Sequence, residues 1–271
     1  VKKEKHAMTS ASPRTALRLG TVAVLASLLV LLRQADDQIA VAGTKPVAHG
    51  PSLVLSATWG PGGDHLGGLD GAEGASEGPM SFALAANGDV VVLDQINERL
   101  ARFDGAGHLV GELPIPAPTF QELEVLEDGS IVLLDRLARA ELLVLDRAGN
   151  QVRAVDVVGT GIPEGGGVTG MFAEDDGIWL EFGHVHRVHV LDDKLAPCPR
   201  KVRRGRAHSA NTELLAGIDG HGGAELWLED EASGDILAQA SVQAGQSLDR
   251  VIWVQTDRSG DVHALFHLLE V

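Results

Sequence analysis

Tyrosine is absent from this chain of 271 residues, aromatic residues make up only 4% of it, and Cys198 is the single cysteine. One cysteine excludes an intrachain disulfide framework and any multi-cysteine zinc or iron–sulfur site. Basic residues are also scarce, since 22 Lys and Arg face 38 Asp and Glu, for a net charge of −16. A chain this acidic repels the phosphate backbone of nucleic acids and attracts cations or basic partners. We therefore expect no nucleic-acid partner.

A long apolar run occurs once, over residues 19–32, and basic residues precede it. It is short for a membrane-spanning helix, which needs about 20 residues, and suits the core of a signal peptide. Residues 1–42 are therefore predicted to be a helical signal peptide or an uncleaved signal anchor, and 40–42 (Ala-Val-Ala) offers a cleavage site. Both alternatives predict that 43–271 is exported: periplasmic, extracellular or anchored facing outward. Contact with a membrane is expected only through the N-terminal segment, if it is uncleaved.

Three segments repeat one pattern, over residues 82–115, 123–158 and 171–203. Each has an apolar run, an Asn-Gly or Asp-Gly turn, and two further runs, the second ending in aspartate. Such turns flanked by alternating apolar residues predict β-hairpins. A weaker fourth copy covers 212–242, and a fifth over 251–271 stops after two predicted strands. Four short strands in about forty residues are typical of a β-propeller blade, so we predict an all-β chain.

The first copy resembles the NHL-repeat family of β-propellers. The residues that carry the resemblance are Pro79, Gly88, Asp94, Asn97, Arg99, Phe103, Asp104 and Gly107. The resemblance implies an NHL-like propeller over 43–271, with six four-stranded blades. At roughly 43 residues a blade, the chain suffices for about five. Two alternatives stay open: the ring closes with five blades, or the sequence is cut short at Val271.

The sharpest candidate site is His184 with His186, which share one face if they lie on a strand. Two such imidazoles can ligate zinc or copper when a third ligand is near, so this pair is the candidate metal site. Solvated or hydrogen-bonded histidines are the simpler interpretation. No cofactor is therefore expected, with zinc or calcium as the alternative.

Five aspartates recur at equivalent positions in the copies: Asp94, Asp104, Asp135, Asp146 and Asp192. They could bind calcium, but their repetition favours a role as turn caps, as for Asn97 and Arg99. A loop with Glu174, Asp175, Asp176 and Glu181 could support acid–base chemistry, and a solvated loop is the simpler interpretation. The basic run 200–206 is interpreted as a solvated outer strand that could pair with an acidic partner or a neighbouring blade.

Two classes of function follow. The first is a non-enzymatic extracytoplasmic scaffold that binds a protein, a peptide or a glycan, which is the role implied by the NHL resemblance. The second is a metal-dependent propeller enzyme of the lyase or the lactonase and hydrolase type. The lack of tyrosine counts against kinship with the zinc-dependent amidating lyases, because that family uses a tyrosine. An envelope-associated structural protein is a third interpretation.

Overall fold

The computed structural model describes residues 55–69, 76–209, 211–244, 246–256 and 260–269. The predicted signal or anchor over residues 1–42 lies outside these ranges. Within them, no helix is long and apolar enough to cross a membrane. Helical structure in the same ranges amounts to two short 3-10 turns, Gln95–Asn97 and Gly165–Gly167.

The strands in the described ranges form five antiparallel sheets, four with four strands and one with two. Blade 1 comprises β1 (Ser81–Leu84), β2 (Val90–Asp94), β3 (Arg99–Phe103) and β4 (Leu109–Pro114). Blade 2 comprises β5 (Glu122–Val125), β6 (Ile131–Asp135), β7 (Glu141–Leu145) and β8 (Gln151–Asp156). Blade 3 comprises β9 (Val168–Glu174), β10 (Gly177–Phe182), β11 (His186–Asp192) and β12 (Val202–Arg204). Blade 4 comprises β13 (Arg206–Ser209), β14 (Thr212–Ile218), β15 (Ala224–Asp230) and β16 (Ile236–Val242). Blade 5 comprises β17 (Leu248–Thr256) and β18 (Val262–Leu268).

Consecutive strands pair in every blade, and first strands take part in the contacts between blades 1 and 2, 2 and 3, and 4 and 5. β1 contacts β5, β5 contacts β9, and β17 contacts β13 and β14. The fourth strands β4 and β8 alternate between more and less exposed residues, as outer strands do. This is the arrangement of a β-propeller, and the all-β prediction is confirmed. Of the five to six predicted four-stranded blades, four are present in the described residues, and the fifth sheet has two strands there.

Much of the core lies between blades, and the sheets of blades 1 and 2 bury apolar side chains on both of their faces. On β2, Val91 and Leu93 pack with blade 2, while Val90 and Val92 belong to a separate cluster on the other face. Other clusters lie between blades 2 and 3 and between blades 4 and 5. Burying one such side chain contributes about 1.5–3 kcal/mol, so neighbouring blades stabilise one another.

The predicted hairpin turns are present. Gly88 and Gly129 have φ of 87° and 85°, values that glycine adopts without a steric penalty. At the turns between third and fourth strands, Asp104, Asp146 and Asp192 each accept two backbone N–H groups. These bonds confirm the interpretation of the three residues as turn caps.

The Asp94, Asn97 and Arg99 side chains after β2 hold the glycine-rich segment that precedes blade 1. Asp94 is fully buried and accepts bonds from Arg99 Nε at 3.0 Å, Asn97 Nδ2 at 2.8 Å and the Gly67 N–H at 2.8 Å. Arg99 also donates to the carbonyl oxygens of Gly63 and His65. Asn97 and Arg99 therefore have the predicted structural role. They bind the carbonyl oxygens of the segment that packs on blade 1.

Candidate functional site

Glu181, on β10, has a buried carboxylate in which both oxygens are bonded. Arg206 donates from Nε to Oε1 at 2.7 Å and from Nη2 to Oε2 at 2.9 Å. Oε2 also accepts from Thr169 Oγ1 at 2.9 Å and lies 3.0 Å from His184 Nδ1. Burial raises the pKa of Glu181, but the bonds and charge of Arg206, helped by Thr169 and His184, outweigh it and lower the pKa. Glu181 is thus a buried anion, and its interpretation as part of a solvated loop was wrong.

His184 lies in the turn between β10 and β11, at φ 56° and directly after Gly183 at φ 62°. Two consecutive positive φ values are typical of a tight hairpin turn. The backbone N–H of His184 donates to Thr169 Oγ1, which further fixes the turn. Because an ionised carboxylate only accepts, Nδ1 of His184 carries the hydrogen toward Glu181. The imidazole is half exposed, with 52% of its side-chain surface accessible.

A cavity of about 220 Å³ lies beside this pair, where blades 3, 4 and 5 meet. Its polar lining includes Glu181, His184, Arg204 and Arg206. Its apolar lining includes Leu214, Val251, Ile252 and Trp253. Arg206 already donates to Glu181 and to the Val254 carbonyl oxygen, so Arg204 is the guanidinium whose donors can bind an anion there.

The predicted metal pair, His184 and His186, makes hydrogen bonds to different partners. His184 faces Glu181, whereas His186 Nε2 donates to the carbonyl oxygen of Gly161 at 2.9 Å and its ring packs against Phe182. In the part of the chain that the structure describes, no group of three His, Cys, Asp or Glu residues is placed to hold a metal ion. The zinc or calcium site therefore stays a prediction.

A wider cleft of about 1000 Å³ opens at the opposite end of blades 2 and 3. Antiparallel pairing puts the β9–β10 and β11–β12 turns, which line the cleft, at the far end of the strands from His184. Six carboxylates line it: Glu124, Glu127, Asp128, Glu174, Asp175 and Asp193. Two basic side chains, Arg153 and Lys194, lie among them.

Two carboxyl groups of this cleft have raised pKa values. Burial, with a smaller contribution from the charge of Glu122, raises the pKa of Glu124 to about 7. Burial also raises the pKa of Glu174 to about 7, although Arg187 Nη1 lies 2.7 Å from its Oε1. The cleft therefore gains negative charge as the pH rises through neutrality.

The basic run 200–206 pairs mainly with the neighbouring blade. Arg203 lies 2.8 Å from Glu231, Arg204 lies 3.2 Å from Glu229, and Arg206 binds Glu181. These contacts confirm the alternative that the run pairs with a neighbouring blade. The interpretation as a solvated strand is wrong for Arg206, which is buried. The sequence did contain a signal for this site: Glu181 is a charged residue inside the apolar run 177–182. A charged side chain on a buried strand must be paired, so the run predicts a buried ion pair.

Comparisons with known proteins give structural likenesses of low identity. No protein-family model and no curated protein matches the chain. Hydrazine synthase from Kuenenia stuttgartiensis has 13% identity to this chain and a TM-score of 0.45. The match covers 67% of this chain and only 53%, about half, of the hydrazine synthase chain. Virginiamycin B lyase from Staphylococcus aureus has 14% identity and a TM-score of 0.42, with 69% of this chain and 62% of that chain covered. A protein from Lactobacillus plantarum has 14% identity and a TM-score of 0.44, with coverage of 74% and 72%. These neighbours are propeller-like proteins. Because the identities and TM-scores are low, none of their activities is assigned to this chain. The sheets of the chain itself make it a β-propeller-like all-β protein.

Proposed function

We propose that this protein is an extracytoplasmic β-propeller of the NHL-like type that acts as a binding scaffold for a basic peptide segment of a partner protein. The observation that carries the proposal is the acidic cleft formed by the hairpins of blades 2 and 3. Its volume of about 1000 Å³ lies at the upper end for pockets that bind discrete ligands. Export is the part of the proposal that rests on the N-terminal sequence.

Charge favours a basic ligand over a neutral one. Six carboxyl groups and two basic groups line the cleft, and the whole chain carries −16. Glu124 and Glu174, whose pKa values are raised to about 7, add their negative charge as the pH rises through neutrality. Like charges would repel an acidic segment, whereas Lys and Arg side chains gain favourable interactions and faster association. Apolar residues such as Leu84, Leu126 and Val152 lie between the carboxylates and can pack against the aliphatic stems of Lys and Arg.

The test is a calorimetric titration of the protein with oligolysine, with oligoglutamate and a neutral Gly-Ser peptide of equal length as comparisons. We expect saturable binding of oligolysine that weakens as salt is added, and no binding of the other two. The triple variant Glu127→Lys, Asp175→Lys, Asp193→Lys removes three exposed carboxylates from the cleft and should weaken binding at least about tenfold.

A matched triple variant controls for net charge. Glu98→Lys, Glu164→Lys and Asp235→Lys change the charge by the same amount at exposed positions outside the cleft. Equal loss of binding in both triple variants would mean that only the overall charge attracts the peptide, and it would refute a binding site in the cleft.

A further inference from the structure

We infer that the cavity beside His184 is a second binding site, separate from the acidic cleft, and that it takes a small carboxylate with a short apolar chain. The two sites lie at opposite ends of blade 3, because His184 follows β10 whereas the cleft is lined by the turn that precedes it. The inference therefore does not depend on what the cleft binds.

The polar wall of the cavity is held rigidly before any ligand arrives. Glu181 is 4% exposed, and Arg206 and Thr169 saturate its oxygens from β13 and β9. Arg206 is in turn fixed by a bond to the carbonyl oxygen of Val254 on β17. Glu181 therefore orients the His184 imidazole from a fixed point. Buried second partners that lock the side chain touching the ligand are a feature of built binding sites.

One basic side chain of the cavity keeps hydrogen-bond donors for a ligand. Arg206 neutralises Glu181, and Arg204 contacts Glu229 through Nη1 alone, at 3.2 Å, with 65% of its side chain exposed. A guanidinium carries five N–H donors, so Arg204 retains donors for a ligand. Arginine donors match a carboxylate in a bidentate manner, so the cavity favours an organic anion over a cation.

The remaining walls select the rest of the ligand. Val251, Ile252 and Trp253 come from β17 and Leu214 from β14, and all four are apolar. Ile252 and Trp253 are still 42% and 38% exposed, so an apolar chain in the cavity would remove their surface from water. A volume of about 220 Å³ lies below the roughly 300–1,000 Å³ of pockets for drug-sized ligands, so the cavity suits a ligand with a chain of a few carbons.

The experiment compares three probes of equal chain length on the purified full chain: hexanoate, hexylammonium and hexan-1-ol. Binding is followed by NMR of the histidine ring protons, with the His184 signal assigned by its loss in His184→Gln. We expect hexanoate to shift the His184 signal in a saturable manner and to bind at least about tenfold more tightly than hexylammonium, the difference of one charge-assisted hydrogen bond.

Two arginine variants test the site itself. Arg204→Gln should weaken hexanoate binding about tenfold or more, whereas Arg139→Gln should leave it unchanged. Arg139 is a matched control, because it is also half exposed and pairs with a glutamate, Glu141, at 3.1 Å on blade 2. The inference is overturned if hexanoate does not shift His184, if hexylammonium or hexan-1-ol binds as well as hexanoate, or if both variants weaken binding equally.

Discussion

Glu181 of blade 3 and Arg206 of blade 4 form a bidentate ion pair, with N–O distances of 2.7 and 2.9 Å, and both side chains are more than nine-tenths buried. The pair joins the sheets of blades 3 and 4 and also orients His184. Structural support and the candidate site for a small anion thus depend on the same carboxylate.

Removing one partner of this pair should be strongly destabilising. Met in place of Arg206 leaves the Glu181 anion buried without its counter-ion, and we expect a loss of about 3–5 kcal/mol in the free energy of unfolding. Urea denaturation of Arg206→Met measures it. The partly exposed pair of Arg204 with Glu229 provides the comparison, since Arg204→Met should cost about 1 kcal/mol or less. Similar costs for the two variants would contradict the structural role of Arg206.

The segment that precedes blade 1 is packed too tightly for a methyl group at Gly67. A Cβ there would lie 2.6 Å from Ile96 Cβ and 2.7 Å from Asp94 Oδ1. Gly67→Ala should therefore destabilise the protein by about 1–3 kcal/mol, the usual cost of overpacking, and lower the midpoint of thermal unfolding. Gly111→Ala on β4 is the control, because a Cβ there meets no atom within 4 Å. A midpoint unchanged by Gly67→Ala would show that the segment does not pack against Asp94 in this way.

Glu124 should make the protein less stable as the pH rises. Burial raises the pKa of its carboxyl to about 7 in the folded protein, from an ordinary value of 4.5. The folded state therefore holds the proton more tightly, and the resulting stability is present at acidic pH and lost as the pH rises through about 7. Glu124→Gln should accordingly raise the thermal midpoint at about pH 8 relative to wild type, and by much less at about pH 4. The same substitution at exposed Glu127 is the control, and an equal gain at both pH values for Glu124→Gln would refute the explanation.

Asp146 should show the opposite dependence on pH. Hydrogen bonds from the side chain and backbone of Asn150, together with the Ala148 N–H, lower the pKa of Asp146 in the folded protein. The stability that this contributes is present above the ordinary aspartate range and is lost as the pH falls through the folded pKa. Asp146→Asn keeps Oδ1 as the acceptor of the Ala148 and Asn150 N–H groups but removes the charge and the Oδ2 acceptor of Asn150 Nδ2, so it should lower the thermal midpoint at neutral pH.

In a buffer acidic enough to protonate Asp146, the variant and the wild type should unfold at nearly the same temperature. Asp235→Asn, at an exposed position in a turn of blade 4, removes the same charge and serves as the comparison. A deficit of Asp146→Asn that is constant with pH would assign the effect to geometry rather than to charge.

The repeat in the sequence determined the blades, because hairpin turns and strand alternation are local. Gly88 and Gly129 mark turns, and Val90 to Leu93 alternate between two apolar clusters, as their spacing predicted. Asp104 and Asp146 bond backbone groups only two and four residues away, so their role as caps was also accessible from the sequence.

The candidate sites were decided by the tertiary structure. Glu181 lies 25 residues from Arg206, and Arg206 lies 48 residues from Val254. No local rule brings them together, because their contact depends on how blades 3, 4 and 5 are oriented about the axis. His184 and His186 differ in their hydrogen bonding because His184 lies in the β10–β11 turn while His186 begins β11, although their spacing on a strand suggested a shared ligand. Local propensity thus specified the strands. The packing of the blades decided which charged side chains are buried in pairs and which remain able to bind a ligand.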